Sequence, residues 1–323
     1  MSLRRRLIGR IRASGPLPFA AYVEAALYDP EAGFYARGRR LGLRGEFSTA
    51  PTRQERFVDA VAAEARACYE SLGSPPEFTL VEAGPGDGSL AAGLAGRLAG
   101  VVSRIVLVER AEGMRAAQEE ALADAPIPVT WIDEPTPEQT VAGFVVANEL
   151  FDAIAFHLLE WPNEVLVAEG GDSGLREERR PVSPELAAAL SAEVEPRPGG
   201  RYAVRPHAPD LLLALAGTIG RGRILVADYG GEGDEAHMGR DPVRTYVGGM
   251  RAAGPLEAPG SQDITADVDF GPLRRAAREV GLAELVYEPQ ERWRKRLAPG
   301  SSGHFDPAAG TLAAFKVLLL EKR

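Results

Sequence analysis

The amino-acid sequence predicts an α/β protein on a seven-stranded, mostly parallel sheet, with an N-terminal helical region and an insertion between strands 4 and 5. Three features carry this reading. From residue 78 onward, short apolar runs alternate with helical stretches. The first run ends in Gly84-Pro85-Gly86-Asp87-Gly88, and a helical stretch follows at once. The alternation breaks between about residues 155 and 220 and then resumes. The expected organisation is a helical region with a lid-like loop over residues 1–74 and a ligand-binding domain over 75–323, interrupted by the insertion.

Taken in order, Leu3, Leu7, Ile8 and Ile11 recur at helical spacing, so the arginine-rich start reads as an amphipathic helix with a solvated basic face. Arginines 4, 5, 6, 10 and 12 also mimic an organellar presequence. Residues 18–27 are helical, and Tyr28-Asp29-Pro30 stops them. Residues 33–51 read as a Gly- and Arg-rich loop. Residues 55–72 form a longer helix, closed by Gly73 and Pro75-Pro76. The seven strands are expected at 78–82, 105–109, 129–132, 144–147, 224–228, 282–287 and 312–320. Helices at 89–98, 113–125 and 270–280 alternate with them. Within the insertion, 157–160 and 165–168 flank Pro162-Asn163 as a hairpin, and 184–194 and 209–219 are helical. The insertion is expected to ride on the same sheet. Residues 234–261 are polar and Gly-rich, hence a loop.

Composition narrows the function classes. The chain has 323 residues, 45% hydrophobic and 26% charged, the balance of a globular protein with a full core. A net charge of −9 draws it neither to nucleic acid nor to an anionic membrane. The single cysteine, Cys68, excludes a disulfide framework, and the four histidines are scattered without metal-ligand spacing. No metal site is expected. The apolar run at 312–320 is short and carries Lys316, so it reads as a buried strand and not a membrane span. A cytoplasmic location is the default expectation.

The chemistry centres on residues 82–88. A buried strand delivers the chain to the carboxyl edge of the sheet, where open α/β folds bind ligands. Glycines there let the backbone turn and approach a ligand, and the next helix offers free N–H groups. Dinucleotide enzymes use G-x-G-x-x-G, because a pyrophosphate rests on that helix. Here the third glycine comes one residue early, at Gly84, Gly86 and Gly88, and the acidic Glu82 precedes them. A carboxylate is a poor neighbour for pyrophosphate but a good one for an α-ammonium, so the spacing favours S-adenosylmethionine (SAM). Glu109 ends the second strand, where an acidic side chain accepts from ribose hydroxyls in SAM and NAD enzymes alike. Asp133, after the third strand, is a candidate for the adenine amino group. Asn148, Glu149 and Asp152 follow the fourth strand and are candidates to face the reacting methyl; a helix cap is the alternative reading for Asn148 or Asp152. Ser48 and Thr49, in the lid-like loop, are candidates to touch cofactor or substrate.

Several segments together resemble one family. They are GEFSTAP at 45–51, EAGPGDGSL at 82–90, VERAEGMRAAQ at 108–118, NELFDA at 148–153, DYG at 228–230 and QDITADVDF at 262–270. In this order they are similar to the MidA-like methyltransferases, relatives of the mitochondrial complex I assembly methyltransferase. The resemblance runs from about Gly15 to Val317 and includes Tyr28-Asp29-Pro30-Glu31-Ala32-Gly33-Phe34-Tyr35. It implies a Rossmann-like class I SAM-dependent methyltransferase, with residues 75–323 as the SAM-binding domain. Glu82, Gly84, Gly86 and Glu109 match its cofactor positions, Pro85 and Gly88 of the same turn are further cofactor-binding candidates, and Asn148, Glu149 and Asp152 match its Asn-Glu-x-Phe-Asp segment. It also implies an arginine of a respiratory complex I subunit as acceptor. The chain departs from the pattern at Ala153-Ile154-Ala155, at Asp267 where the family often has histidine, and at Gly248 and Gly249 near an expected histidine. Rival readings are an NAD-dependent oxidoreductase, a SAM-binding assembly factor without catalysis, and a small-molecule methyltransferase.

Overall fold

In the computed structural model the described residues are 2–37, 51–138, 141–171, 174–237, 241–247, 250–252, 254–297 and 315–323, without the side chains of 51–54. The chain begins with α1 (Leu3–Ser14), β1 (Leu17–Pro18) and α2 (Phe19–Tyr28). α1 buries Leu3, Leu7, Ile8 and Ile11, as its spacing requires, and of its arginines Arg5, Arg10 and Arg12 are exposed while Arg6 pairs with Asp29 and Glu31 and Arg4 donates to Glu257 O. Next comes α3 (Pro51–Ser71), followed by the alternating stretch β2 (Phe78–Ala83), α4 (Ser89–Arg97), β3 (Arg104–Val108), α5 (Glu112–Ala121), β4 (Val129–Ile132) and β5 (Ala142–Asn148). The insertion supplies β6 (His157–Glu160), β7 (Asn163–Glu169), β8 (Leu175–Pro181), α6 (Pro184–Ser191) and β9 (Arg201–Val204). After α7 (Ala208–Gly217) the chain re-enters the sheet through β10 (Arg221–Gly231). The rest comprises β11 (Val243–Val247), β12 (Met250–Arg251), β13 (Asp263–Ala266), β14 (Val268–Asp269), α8 (Phe270–Glu279), β15 (Ala283–Pro289), α9 (Gln290–Leu297) and β16 (Phe315–Lys322).

The main sheet runs β15-β16-β10-β5-β2-β3-β4, with β14 beside the end of β10. β4, β3, β2, β5 and β10 are parallel, while β16 is antiparallel to both β10 and β15. The expected seven strands are thus corrected to eight of mixed direction. The added strand is the two-residue β14, which pairs with Gly230 and Gly231 where β10 outruns β5. The architecture is Rossmann-like. Every residue of β2 is buried, as a parallel strand covered on both faces demands. Phe78, Leu80, Phe144 and Val146 pack under α3, α4 and α9, with Trp293 of α9 fully enclosed. Val81, Val145, Ile224 and Val226 pack on the other face, under α7 and α8.

The insertion does not ride on the main sheet, contrary to the expectation above. It forms a second sheet, β1-β7-β6-β9, with β8 also on β7. The reason is that its strands find partners and a core of their own. β7 pairs with β1, β6 and β8, so little of its backbone is left for the main sheet. Phe156, Leu158, Val165 and Val167 pack against Leu7, Phe19, Tyr22 and Val23 of α1 and α2. Leu159, Tyr202 and Val204 pack against Leu186 and Leu190 of α6. The stretch before residue 75 therefore serves two layers: α1 and α2 cover the second sheet, and α3 covers the main one. Residues 234–261 are also more ordered than a loop. β11 pairs with β12 and β13 in a small third sheet, because Val243 and Thr245 alternate inward.

The docking of α2 gives a direct test. Phe19 is fully buried, its ring 5.8 Å from Tyr22 and 5.5 Å from Phe156. Phe19→Ala should cost about 3–5 kcal/mol in urea unfolding. A loss below about 1 kcal/mol would mean that α2 does not share this core.

Candidate functional site

The chain leaves β2 for β3 and β4 on one side and returns to β5 and β10 on the other. The carboxyl ends of β2 and β5 therefore flank a crevice at the point where the strand order reverses, the preferred ligand position in such sheets. The residues predicted for the site divide between these two ends.

At the end of β2, Gly84, Gly86 and Gly88 have φ of 65°, 56° and 82°, left-handed values that strain any residue with a Cβ. Gly88 has a second constraint, since a Cβ there would lie 3.0 Å from Cα of Gln118. At Gly86 nothing lies within 4 Å of such an atom, so this turn borders open space. Pro85 O accepts from Gly88 N at 2.9 Å, and Asp87 Oδ1 accepts from Ser89 N at 3.1 Å, which locks the turn onto α4.

Glu82 lies beneath this turn, 2% exposed. Its Oε2 has no hydrogen-bond partner. Burial pushes the carboxyl up to about 8, Asp87 adds to the rise, and the Ala91 amide offsets part of it. An unpartnered buried carboxylate oxygen beside an open glycine turn is what the α-ammonium of SAM would complete.

Glu109 follows β3. Its Oε1 accepts from Ala111 N at 2.7 Å and its Oε2 from Gln118 Nε2 at 2.9 Å. Burial raises its pKa against these donors. Gln118 is fully buried, and its Nε2 also donates to Gly86 O at 2.8 Å, while its Oε1 accepts from Trp131 Nε1 at 3.0 Å. One side chain thus ties the glycine turn to the ribose-side carboxylate. Sequence reading assigned Gln118 no role, although it closes the segment at 108–118 that carried the family resemblance and is a polar residue on the apolar face of α5, beside Met114. Asp133 is not brought into the crevice: its side chain is 77% exposed and pairs with Arg115. Ser48 and Thr49 lie outside the described residues.

The end of β5 carries Asn148, Glu149 and Asp152. Glu149 has φ 50°, an uncommon value for a residue with a side chain and one that clusters at functional sites. Its amide still donates to Ala227 O at 2.9 Å, so the chain kinks one residue beyond the parallel ladder. Asn148 Nδ2 lies 3.5 Å from Glu149 Oε1. Glu149 is exposed where the end of β5 meets the crevice, with the buried Asp152 close by. Desolvation there, helped by Asp152, pushes its carboxyl up to about 7. Asp152 is 3% exposed, and its Oδ1 has no partner. Burial raises its pKa, opposed by the Tyr229 hydroxyl and the charge of Arg205.

Four neighbours escaped sequence reading. Asp228, fully buried at the end of β10, accepts from the amides of Phe151, Asp152 and Tyr229. Arg205 donates to the carbonyls of Asp152, Ala266 and Asp267. Asp263 and Tyr35 meet near Asp152, Tyr35 Oη donating to Asp263 Oδ1 at 3.2 Å. Asp228, Tyr35 and Asp263 lie in segments that carried the family resemblance, but their use depends on contacts between distant stretches.

Two outcomes follow. For Glu82 the folded pKa, about 8, lies above the ordinary carboxyl value of 4.5. Its contribution to stability is therefore full below about 4.5 and lost as pH rises through about 8. A bound ammonium favours the ionised form, so affinity for S-adenosylhomocysteine should rise from pH 6 to 8, by calorimetry, and Glu82→Gln should flatten that rise. Gln118→Leu strips donors from Gly86 O and Glu109. It should weaken that affinity about tenfold or more, since buried acceptors left unpaired cost about 1–3 kcal/mol.

The chain is similar to known proteins in both sequence and fold. The chain is 30% identical to the protein arginine methyltransferase NDUFAF7 homolog, mitochondrial, of Drosophila melanogaster, over 87% of this chain and 71% of that one. It is 29% identical to protein arginine methyltransferase NDUFAF7, mitochondrial, of Xenopus tropicalis, over 86% and 71%. A crystal structure from Burkholderia thailandensis, bound to S-adenosyl-homocysteine, superposes with a TM-score of 0.84 at 25% identity, covering 99% of this chain and 91% of that one. Residues 60–287 match the family described as "Putative S-adenosyl-L-methionine-dependent methyltransferase". The chain belongs to that family and is a SAM-dependent methyltransferase.

Proposed function

We propose that the methyl acceptor is an arginine side chain of a protein, held by Glu149 and Asp152. The observation that carries this reading is the buried Asp152 oxygen that lacks a hydrogen-bond partner, close to Glu149 at the end of β5. The relatives named above as protein arginine methyltransferases support it. By the same resemblance, the acceptor protein is proposed to be a respiratory complex I subunit.

When bound, the donor supplies a methyl group on a positively charged sulfur. The chain's task is then mainly alignment. A guanidinium is charged at any working pH and offers a planar fork of N–H donors. Asp152 Oδ1 and the Glu149 carboxylate accept from that fork, hold it still and draw its charge away from one nitrogen. That nitrogen forms the new N–C bond as the C–S bond breaks, with the bonding pair leaving on sulfur. The nitrogen's proton passes to Glu149, whose carboxyl, raised to about 7, is matched to receiving and releasing it near neutrality. Asn148, beside Glu149 Oε1, orients the carboxylate.

Glu149→Gln should lower turnover about a hundredfold or more and leave SAM affinity within about threefold. The acceptor itself is tested by incubating the chain with methyl-labelled SAM and a lysate of its source organism. Label recovered on methylarginine after protein hydrolysis supports the reading. Label on a metabolite overturns it.

A further inference from the structure

We infer that Asp263 is a specificity-determining residue of the acceptor pocket: with Glu149 and Asp152 it forms a three-carboxylate wall that selects a guanidinium over a neutral side chain. This rests on the acceptor proposed above and assigns its recognition to a residue far from it in sequence.

Asp263 opens β13 and is 3% exposed. Alternation along a strand puts Thr265 on the same face. Thr265 Oγ1 accepts from Tyr229 Oη at 2.5 Å, and the Tyr229 hydroxyl also lies beside Asp152. The next residue, Ala266, donates from its amide to Asp152 O at 3.2 Å. β13 is therefore fastened along the loop that carries Asp152, which places Asp263 near that carboxylate.

The opposite wall comes from the N-terminal segment. Tyr35 Oη holds Asp263 Oδ1, and the Tyr35 ring lies 5.2 Å from both Tyr28 and Phe34. This segment is clamped by two glycines that admit its backbone: a Cβ at Gly113 would lie 2.1 Å from Ala36 O, and one at Gly260 would lie 2.0 Å from Ala32 O. Tyr35 is thus a fixed wall.

Charge then decides what fits. Burial raises the pKa of Asp263 most, and Asp152 and Glu149 add to the rise, so the three carboxylates placed near one another by β13 and the loop after β5 also feel one another's charge. Among the described residues no arginine or lysine forms an ion pair with any of them. Arg205 donates to backbone carbonyls, and Arg244 pairs with Asp267 and stacks over the Tyr229 ring at 4.6 Å; their charges reach Asp152, but neither donates to its carboxylate. The unpartnered Asp152 Oδ1 marks where a donor is missing. A guanidinium carries five N–H donors in a plane and can serve several carboxylates at once; a neutral amide or hydroxyl cannot offset their charge.

The test uses the full chain saturated with S-adenosylhomocysteine at pH 8. It is titrated with acetyl-Gly-Arg-Gly-amide and with the matching citrulline peptide, a neutral near-isostere. The wild-type chain should prefer the arginine peptide by about tenfold or more. Asp263→Asn should lose about tenfold on the arginine peptide while the citrulline peptide and S-adenosylhomocysteine bind as before. Tyr35→Phe keeps the carboxylate and should keep the preference. Equal weakening of both peptides in Asp263→Asn, no change, or loss of S-adenosylhomocysteine binding would each overturn the assignment. A wild-type chain with no preference for the arginine peptide would instead sink the proposed acceptor itself.

Discussion

The candidate acceptor site hangs on one buried carboxylate. Asp228 accepts from Phe151 N at 2.9 Å, Asp152 N at 3.2 Å and Tyr229 N at 2.9 Å, with no exposure to solvent. The first two amides belong to a chain that has just left β5, where no ladder can take them, and the third belongs to β10 itself. Without the carboxylate the first two would be buried donors lacking acceptors, each a substantial cost. With it, the loop is pinned so that Glu149 is held at a left-handed φ and Asp152 is turned inward. The anchor is itself strained. Burial, Asp152 and Glu149 raise the pKa of Asp228, and the Asp152 amide and Arg205 work against them. The parallel register of β10 on β5, Ala227 opposite Asn148, is what places Asp228 one step beyond the ladder and within reach.

This explains which parts of the molecule could be read from sequence. The strands of the main sheet were legible because burial on both faces writes a continuous apolar run, as in β2. The glycine turn was legible because φ near +60° at Gly84 and Gly86 needs glycine whatever the surroundings. Glu82 and Glu109 were legible by position alone, each at the end of a strand. The second sheet was not. β7 takes Leu17 and Pro18 as partners opposite Val167 and Leu166, and nothing local announces a pairing across such a separation. Gln118 was missed for a related reason: on α5 it looks like one more polar residue, and only the turn at Gly86 gives it work. Asp133 shows the reverse error, a suitable residue in a suitable place that the Arg115 side chain draws outward.

The two halves of the crevice handle charge differently. On the donor side each carboxylate has a local answer: Glu109 is met by an amide and by Gln118, and Glu82 is left one oxygen short for a single ammonium. On the proposed acceptor side Glu149, Asp152 and Asp263 act on one another, and the charges of Arg205 and Arg244 reach Asp152 without an ion pair to any of the three among the described residues. A pocket built this way is least comfortable when empty and fully ionised, so a cation is the ligand that relieves it most.

The departures from the family pattern bear on this asymmetry. Asp267, where a histidine is frequent, pairs with Arg244 on the neighbouring strand β11, and its carbonyl helps to hold Arg205. Arg244 in turn covers the Tyr229 ring, whose hydroxyl reaches Thr265 and lies beside Asp152. The substitution therefore acts around the proposed acceptor site. It neutralises one acidic side chain with one arginine and leaves Glu149, Asp152 and Asp263 without an ion-pair partner among the described residues. An aspartate that matched its neighbours by staying unpaired would have added a fourth charge to the wall. Paired with Arg244 it adds none, so the departure alters the mouth through which a substrate passes more than the carboxylates that would hold it.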